Sequence, residues 1–229
     1  MIEVTNLSKN FGSFQALDAV NMSIRRGTVV GVVGENGSGK TTLFRCIAGL
    51  ESYEGKIVSE INPLKNHLGF LSTEPYFFSK ITAKEYIRLL CNARGKEISH
   101  IEEKNIFDLP LNQYVSTFST GMKKKLAFTA ILLQENTCFI LDEPFNGIDI
   151  QSSFVVTEII HRLKSLHKTL IIASHIFSTL SDVCDEIHLL HQGKLIKSVQ
   201  KEDFADLETE MKTVFIDNKI DKLLIGNKI

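Results

Sequence analysis

The sequence predicts an α/β fold: a parallel sheet wrapped by helices, with antiparallel strands ahead of it and a helical lobe inserted into it. Three observations predict this. Short, largely apolar runs recur along the chain, as expected of strands buried on both faces. Stretches of helical period separate them, the order that a parallel sheet with crossover helices requires. A glycine-rich turn at 34–39 links the first such run to the first helical stretch.

The elements follow in order. Ile2, Val4 and Leu7, then Leu17, Val20, Met22 and Ile24, recur at near period two and predict short antiparallel strands. Residues 28–33, Thr-Val-Val-Gly-Val-Val, predict the first fully buried strand, and a helix follows over about 40–49. Further buried strands are predicted over 68–71, 138–141, 170–173 and 187–190, with helices over 83–94, 121–133, 152–166 and 176–183. Between about 75 and 133 helices succeed one another without a strand, which predicts the inserted lobe. The main domain then spans 1–200. Residues 201–229 are more polar and predict a short extension: a helix, a strand over 213–216 and a frayed end. No internal repeat or low-complexity segment is present.

Composition narrows the classes. A chain of 229 residues can bury a core without disulfides or structural metals. Hydrophobic residues at 43% and charged residues at 23% are the proportions of a globular domain and argue against disorder. Lys plus Arg number 26 against 27 Asp plus Glu, so the chain lacks the overall basic excess of most nucleic-acid binders. Cys46, Cys91, Cys138 and Cys184 are scattered and match no zinc pattern, so they predict reduced thiols in a cytosolic setting. The residues from Met1 carry no basic region leading into an apolar run, and no apolar stretch is long enough to span a bilayer. Work at a membrane is therefore expected to go through a partner.

Three motifs carry chemistry. Gly34-Glu35-Asn36-Gly37-Ser38-Gly39-Lys40-Thr41 fits G-x-x-x-x-G-K-[ST] between a buried strand and a helix. Its glycines let backbone N–H groups turn inward around phosphate oxygens, and the helix start adds unpaired donors. Lys40 is then expected to reach the β- and γ-phosphates and the Thr41 hydroxyl to ligate Mg²⁺. Residues 138–143, Cys-Phe-Ile-Leu-Asp-Glu, place two acids at the carboxyl end of a strand, where open α/β sheets bind ligands. Asp142 is expected to hold Mg²⁺, directly or through water, and Glu143 to act as general base on a water. The third motif is Phe118-Ser119-Thr120-Gly121-Met122 ahead of Lys123-Lys124-Lys125. On its own it reads as an N-cap followed by a solvated basic face.

In this position, however, Ser119-Thr120-Gly121-Met122 resembles the signature motif of ATP-binding cassette (ABC) proteins. Phe11 resembles the family's adenine-stacking aromatic, Asn146-Gly147-Ile148-Asp149 its D-loop, and Ala173-Ser174-His175 its switch-histidine strand end. The resemblance covers about residues 1–200. It implies a P-loop NTPase fold of RecA-like type, with an N-terminal antiparallel β-subdomain and an inserted helical subdomain. It implies ATP and Mg²⁺ as ligands, with residues 34–41, Thr42, Ser119, Gly121 and Asp149 among the nucleotide contacts. His175 joins Glu143 as a catalytic residue on the same basis. Thr73 stands where the family usually has a metal-touching Gln, and the signature has Thr120 and Met122 for a Gly and a Gln.

The resemblance further implies a head-to-tail dimer, with itself or with a homologous cassette, in which each ATP lies between one chain's phosphate loop and the other's signature. The helical lobe near 75–94 would receive an integral membrane permease, and no direct nucleic-acid contact is expected. The chain would then energise transport from the cytoplasmic face of the cell membrane, and its short signature looks most like that of exporter-type cassettes. Competing readings are a nucleic-acid or ribosome-associated ATPase of the same superfamily, an unrelated P-loop kinase or GTPase, and a degenerate regulatory cassette. Only about 80 residues separate Lys40 from Ser119, too few for the long coiled coil of chromosome-maintenance ATPases.

Overall fold

A computed structural model describes residues 1–216, with side chains through residue 211. The first strands are longer than their sequence pattern suggests. β1 (Ile2–Phe11) and β2 (Phe14–Ile24) form an antiparallel pair. β4 (Glu54–Ser59) pairs antiparallel with the other side of β1, so the order is β2-β1-β4. Periodicity does not reveal β4, because it carries no buried residue and so no apolar alternation marks it.

The main sheet has the order β5-β6-β7-β3-β8-β9. β3 (Val29–Val33), β5 (Leu68–Leu71), β6 (Cys138–Asp142), β7 (Thr169–Ser174) and β8 (Glu186–His191) run parallel. β9 (Lys194–Gln200) returns antiparallel from β8 through Gln192 and Gly193, both at positive φ. A two-residue hairpin needs that backbone conformation, and the Gln-Gly pair is the sequence signal for this unpredicted strand.

Burial on both faces explains why the parallel strands read as almost wholly apolar runs, with His188 of β8 as the exception. In β3, Val30 and Val32 pack with β1, β2 and helix α1 (Lys40–Ile47). Val29 and Val33 pack on the opposite face, in the cluster shared with α3 (Thr120–Leu133), α4 (Ile150–Ser165) and α5 (Phe177–Val183). Each such side chain, at 0–1% exposure, contributes about 1.5–3 kcal/mol relative to an exposed one.

The segment at 75–133 contains α2 (Ala83–Asn92) and α3, but between them lie mostly turns, with one short 3-10 turn at Val115–Thr117. α2 starts with a capping box: Thr82 accepts from the Glu85 N–H, and Glu85 accepts from the Thr82 N–H. α3 is buried nearly all round. Leu126 and Ala130 face the lobe's own core, with Ile87, Ile101 and Val115, whereas Ala127, Phe128 and Ile131 face the sheet. It therefore ties the lobe to the sheet.

One expectation is corrected. Residues 213–216 are not a strand but the last turn of α6 (Phe204–Ile216). Phe204, Leu207 and Met211 recur at helical spacing and pack against the sheet cluster, and that contact overrides the local preference of Thr-Val-Phe-Ile for extended backbone. The expected frayed end lies outside the described residues.

Candidate active site

The phosphate loop is built by backbone constraints. Gly39, at φ +108, opens α1, and a Cβ there would lie 2.7 Å from the Ala16 carbonyl. At Gly34 a Cβ would come within 2.2 Å of the Leu190 carbonyl. The loop is held from outside as well, because the Gly193 N–H of the β8–β9 turn donates to the Ser38 carbonyl. Lys40 folds back over the loop, its Nζ donating to the carbonyls of Gly34 (2.7 Å) and Glu35 (3.1 Å). Burial lowers its pKa from the usual lysine value, and Glu143 and Asp142 act against that shift.

Asp142 and Glu143 follow from the end of β6. The hydroxyls of Thr41 and Thr73 both donate to Asp142 Oδ2, each at 2.7 Å, so elements more than sixty residues apart converge on one carboxylate. The other oxygen, Oδ1, is buried without a hydrogen-bond partner. A buried acceptor left open beside two hydroxyls is a hard-oxygen donor set suited to Mg²⁺. Among the described residues no group of three His, Cys, Asp or Glu side chains is arranged to hold a metal ion by itself, so a divalent ion here would draw its remaining ligands from nucleotide phosphates and water.

Glu143 sits at φ +52, a conformation that costs a non-glycine residue energy. Its N–H donates to the Ala173 carbonyl on β7, and its own carbonyl accepts from Asn146, so the turn is fixed from both sides. Its carboxylate lies 3.9 Å from Lys40 Nζ and accepts at 2.9 Å from His175 Nδ1. A carboxylate only accepts, so Nδ1 carries the proton and the opposite ring nitrogen is the one left to face a ligand.

These groups surround a cavity of about 420 Å³ lined by Asn36, Gly37, Gly39, Lys40, Thr41, Thr42, Thr73, Asp142, Glu143, Asn146 and His175. The structure thus brings most of the expected phosphate and metal residues to one place. Phe14 and Ala16, which no sequence motif singles out, form another part of the wall. Phe11 is Phe14's partner across the β1–β2 turn, is not among the lining residues, and stacks against Lys9 Nζ at 4.8 Å from its ring centre. The sequence signal for Phe14, an aromatic flanking a Gly-containing turn, is shared by Phe11.

Ser119, Gly121 and Asp149 form a second cluster that does not line the cavity. Ser119 caps α3 by accepting from the Met122 N–H at 3.2 Å, and Asp149 caps α4 by accepting from Ser152. The Ser152 N–H and hydroxyl, then Lys125, hold the Asp149 carboxyl well below the usual carboxylate range. Lys125 Nζ, 3.2 Å from Asp149 Oδ2, fastens α3 to the D-loop segment. Gly121 is the contact point between them, since a Cβ there would lie 2.5 Å from the Gly147 carbonyl. Gly121→Ala is expected to push that segment off α3 and cost about 1–3 kcal/mol of stability, measurable by urea denaturation. An unchanged urea midpoint would show that the contact relaxes freely.

The residues and their arrangement have counterparts in known proteins. The family model for ABC transporters matches residues 17–146. The bacitracin transport ATP-binding protein BcrA of Bacillus licheniformis is 32% identical over 217 residues, spanning 87% of this chain and 69% of its own length. The ABC transporter ATP-binding protein NatA of Bacillus subtilis is 33% identical, spanning 86% of this chain and 88% of its own. The lantibiotic transport ATP-binding protein SrtF of Streptococcus pyogenes is 30% identical over 91% of this chain and 94% of its own. A solved ATP-binding subunit of an ABC transporter superposes with TM-score 0.78 at 24% identity, covering 99% of this chain and 98% of that one. A dimeric post-hydrolysis cassette bound to ADP and Pi superposes at 0.79 and 20% identity, covering 88% and 99%. With the family model matching more than half of its length and relatives of this identity matching along most of it, the chain belongs to the ABC transporter family as one of its ATP-binding subunits.

Proposed function

We propose that this chain binds Mg-ATP in the cavity above β6 and hydrolyses it as the motor of a transporter whose permease is a separate polypeptide. One observation carries the proposal: the convergence of Lys40, Thr41, Asp142, Glu143 and His175 from separate segments on a single cavity. The loop backbone at 34–39, Lys40 and Thr42 would hold the phosphates, with Phe11 or Phe14 against the base. Asp142, Thr41 and Thr73 would hold Mg²⁺, which when bound neutralises phosphate charge. Glu143 accepts a proton from the water that attacks the γ-phosphorus, and the bond to the β-bridging oxygen breaks to release ADP and phosphate. His175 orients Glu143 through Nδ1 and turns its other nitrogen toward the transferred phosphoryl group.

The placement of Ser119 outside the cavity supports a head-to-tail dimer. Its helix start offers anion donors that serve no phosphate within the same chain, so a partner's γ-phosphate is the fitting occupant. Closure then depends on ATP, and hydrolysis removes the charge that bridges the two chains. The partner cassette is a second copy or a homologue. Among the described residues no helix is long and apolar enough to cross a membrane, so contact with a bilayer falls to the permease. Exposed Tyr76 and Phe78, edge to face at 5.6 Å beside the Thr73 loop, mark the surface where it would dock, on the cytoplasmic side. The exporter-type assignment rests on the form of the signature, Ser119-Thr120-Gly121-Met122.

Gentle detergent extraction of cells making tagged chain tests this. A multi-span membrane protein should co-purify in stoichiometric amount and should be lost when Tyr76 and Phe78 are both changed to Ser. Recovery of ribosomes or DNA instead would overturn the transport reading.

A further inference from the structure

α3 carries a cation that the chemistry above leaves unused. Lys124 is 3% exposed, and its Nζ donates to two backbone carbonyls, Thr73 at 3.0 Å and Asp142 at 3.3 Å. Among the described residues no carboxylate lies within ion-pair distance of it. Burial pulls its pKa below the usual lysine value, with Asp142, Glu143 and Glu74 acting the other way. An ammonium is an expensive group to bury, and an apolar side chain of similar length would fill the space without that cost. Its two carbonyl bonds are what the position gains.

Those carbonyls belong to Thr73 and Asp142, whose side chains meet at Asp142 Oδ2. Their strands are neighbours, but the β5–β6 ladder ends at the pair Leu71 and Leu141. Beyond that pair no strand register fixes Thr73 relative to Asp142, and Lys124 bridges them where the ladder stops. The bridge matters more with Thr than with a longer side chain, since a Thr hydroxyl meets the carboxylate only if its backbone is drawn close.

We propose that Lys124 is a positioning residue for the Mg-ATP site, holding Thr73 and Asp142 in register so that both present oxygen to the same ion; this rests on the function proposed above. Because Ser119 caps the helix that carries Lys124, the bridge also fastens the signature helix to the metal side of its own chain's site.

The test compares Glu143→Gln protein, used to stop turnover, with the same protein carrying Lys124→Met or Lys124→Gln. Binding of a fluorescent ATP analogue is measured in EDTA and in Mg²⁺, alongside melting temperature without nucleotide. In EDTA the affinities should agree within about twofold, whereas the gain conferred by Mg²⁺ should shrink by about tenfold in Lys124→Met. It should partly recover in Lys124→Gln, whose amide can reach one carbonyl. Should Lys124→Met be too unstable to purify, Lys124→Gln alone must show the smaller gain. An undiminished gain in both variants overturns the proposal, as does an equal loss with and without Mg²⁺, which marks a merely structural lysine. If the parent protein binds no analogue at all, the proposed function fails and this inference falls with it.

Discussion

Glu143→Gln is expected to slow ATP hydrolysis by at least about a hundredfold while leaving ATP bound, because it removes the base and little else. The amide is isosteric with the carboxylate. The backbone at φ +52, anchored by the Ala173 carbonyl and by Asn146, does not depend on the charge, and the amide oxygen can still accept from His175 Nδ1. Losing a negative charge 3.9 Å from Lys40 should also favour retention of the phosphates. With ATP retained, the bridging charge is never removed, and Mg-ATP should convert the protein to a dimer stable in light scattering. Phosphate release at a rate near that of the wild type would show that another group takes the proton. A protein that stays monomeric at saturating Mg-ATP would overturn the head-to-tail arrangement.

Lys40→Met should have an effect of similar size on a different step. The ammonium contacts the Gly34 and Glu35 carbonyls and lies beside two carboxylates, ready to exchange those partners for phosphate oxygens. Methionine keeps the length and volume but neither the charge nor the donors. The affinity for ATP should fall about a hundredfold, the scale of one or two lost charge-assisted hydrogen bonds. The fold should survive, since methionine keeps the packing and the Gly34 and Glu35 carbonyls and Glu143 carboxylate that lose the ammonium border a cavity that water can enter. The melting temperature without nucleotide is therefore expected within about 5 °C of the wild type. Titration calorimetry and a thermal melt on the same sample check both halves. Undiminished ATP affinity would mean that the cavity is not the nucleotide site, and a collapsed melting temperature would make any loss of binding uninformative about phosphate contact.

The five parallel strands are legible in the sequence because burial on both faces leaves their runs almost wholly apolar, the buried His188 of β8 being the exception. The phosphate loop is legible for a related reason: Gly34 and Gly39 occupy positions where a Cβ would collide with backbone, so the residue type records the geometry. β4 and β9 are not legible, because they bury too little to leave an apolar pattern: no residue of β4 is buried, and only Val199 of β9. Residues 213–216 mislead because their local β preference is outweighed by the packing of Phe204, Leu207 and Met211. Phe14 escapes because sequence order alone does not tell which of two aromatics flanking a turn faces the cavity.

The alternation of the five parallel strands with helices, the phosphate loop, the acidic strand end and the resemblance to ABC cassettes all follow from the amino-acid sequence. Each is written in the residue types of a short segment: apolar runs where both faces are buried, and glycines where a Cβ would collide with backbone. Three relations emerge only in the folded chain: Thr73 and Thr41 share one carboxylate oxygen, Glu143 and His175 are hydrogen-bonded, and Lys124 lies buried beneath Thr73 and Asp142 rather than on a solvated face with Lys123. All three join segments far apart in the chain. A lysine's place is set by the packing of the helix that carries it. Because α3 is buried nearly all round, which of its three consecutive lysines points inward depends on the sheet and lobe it packs between.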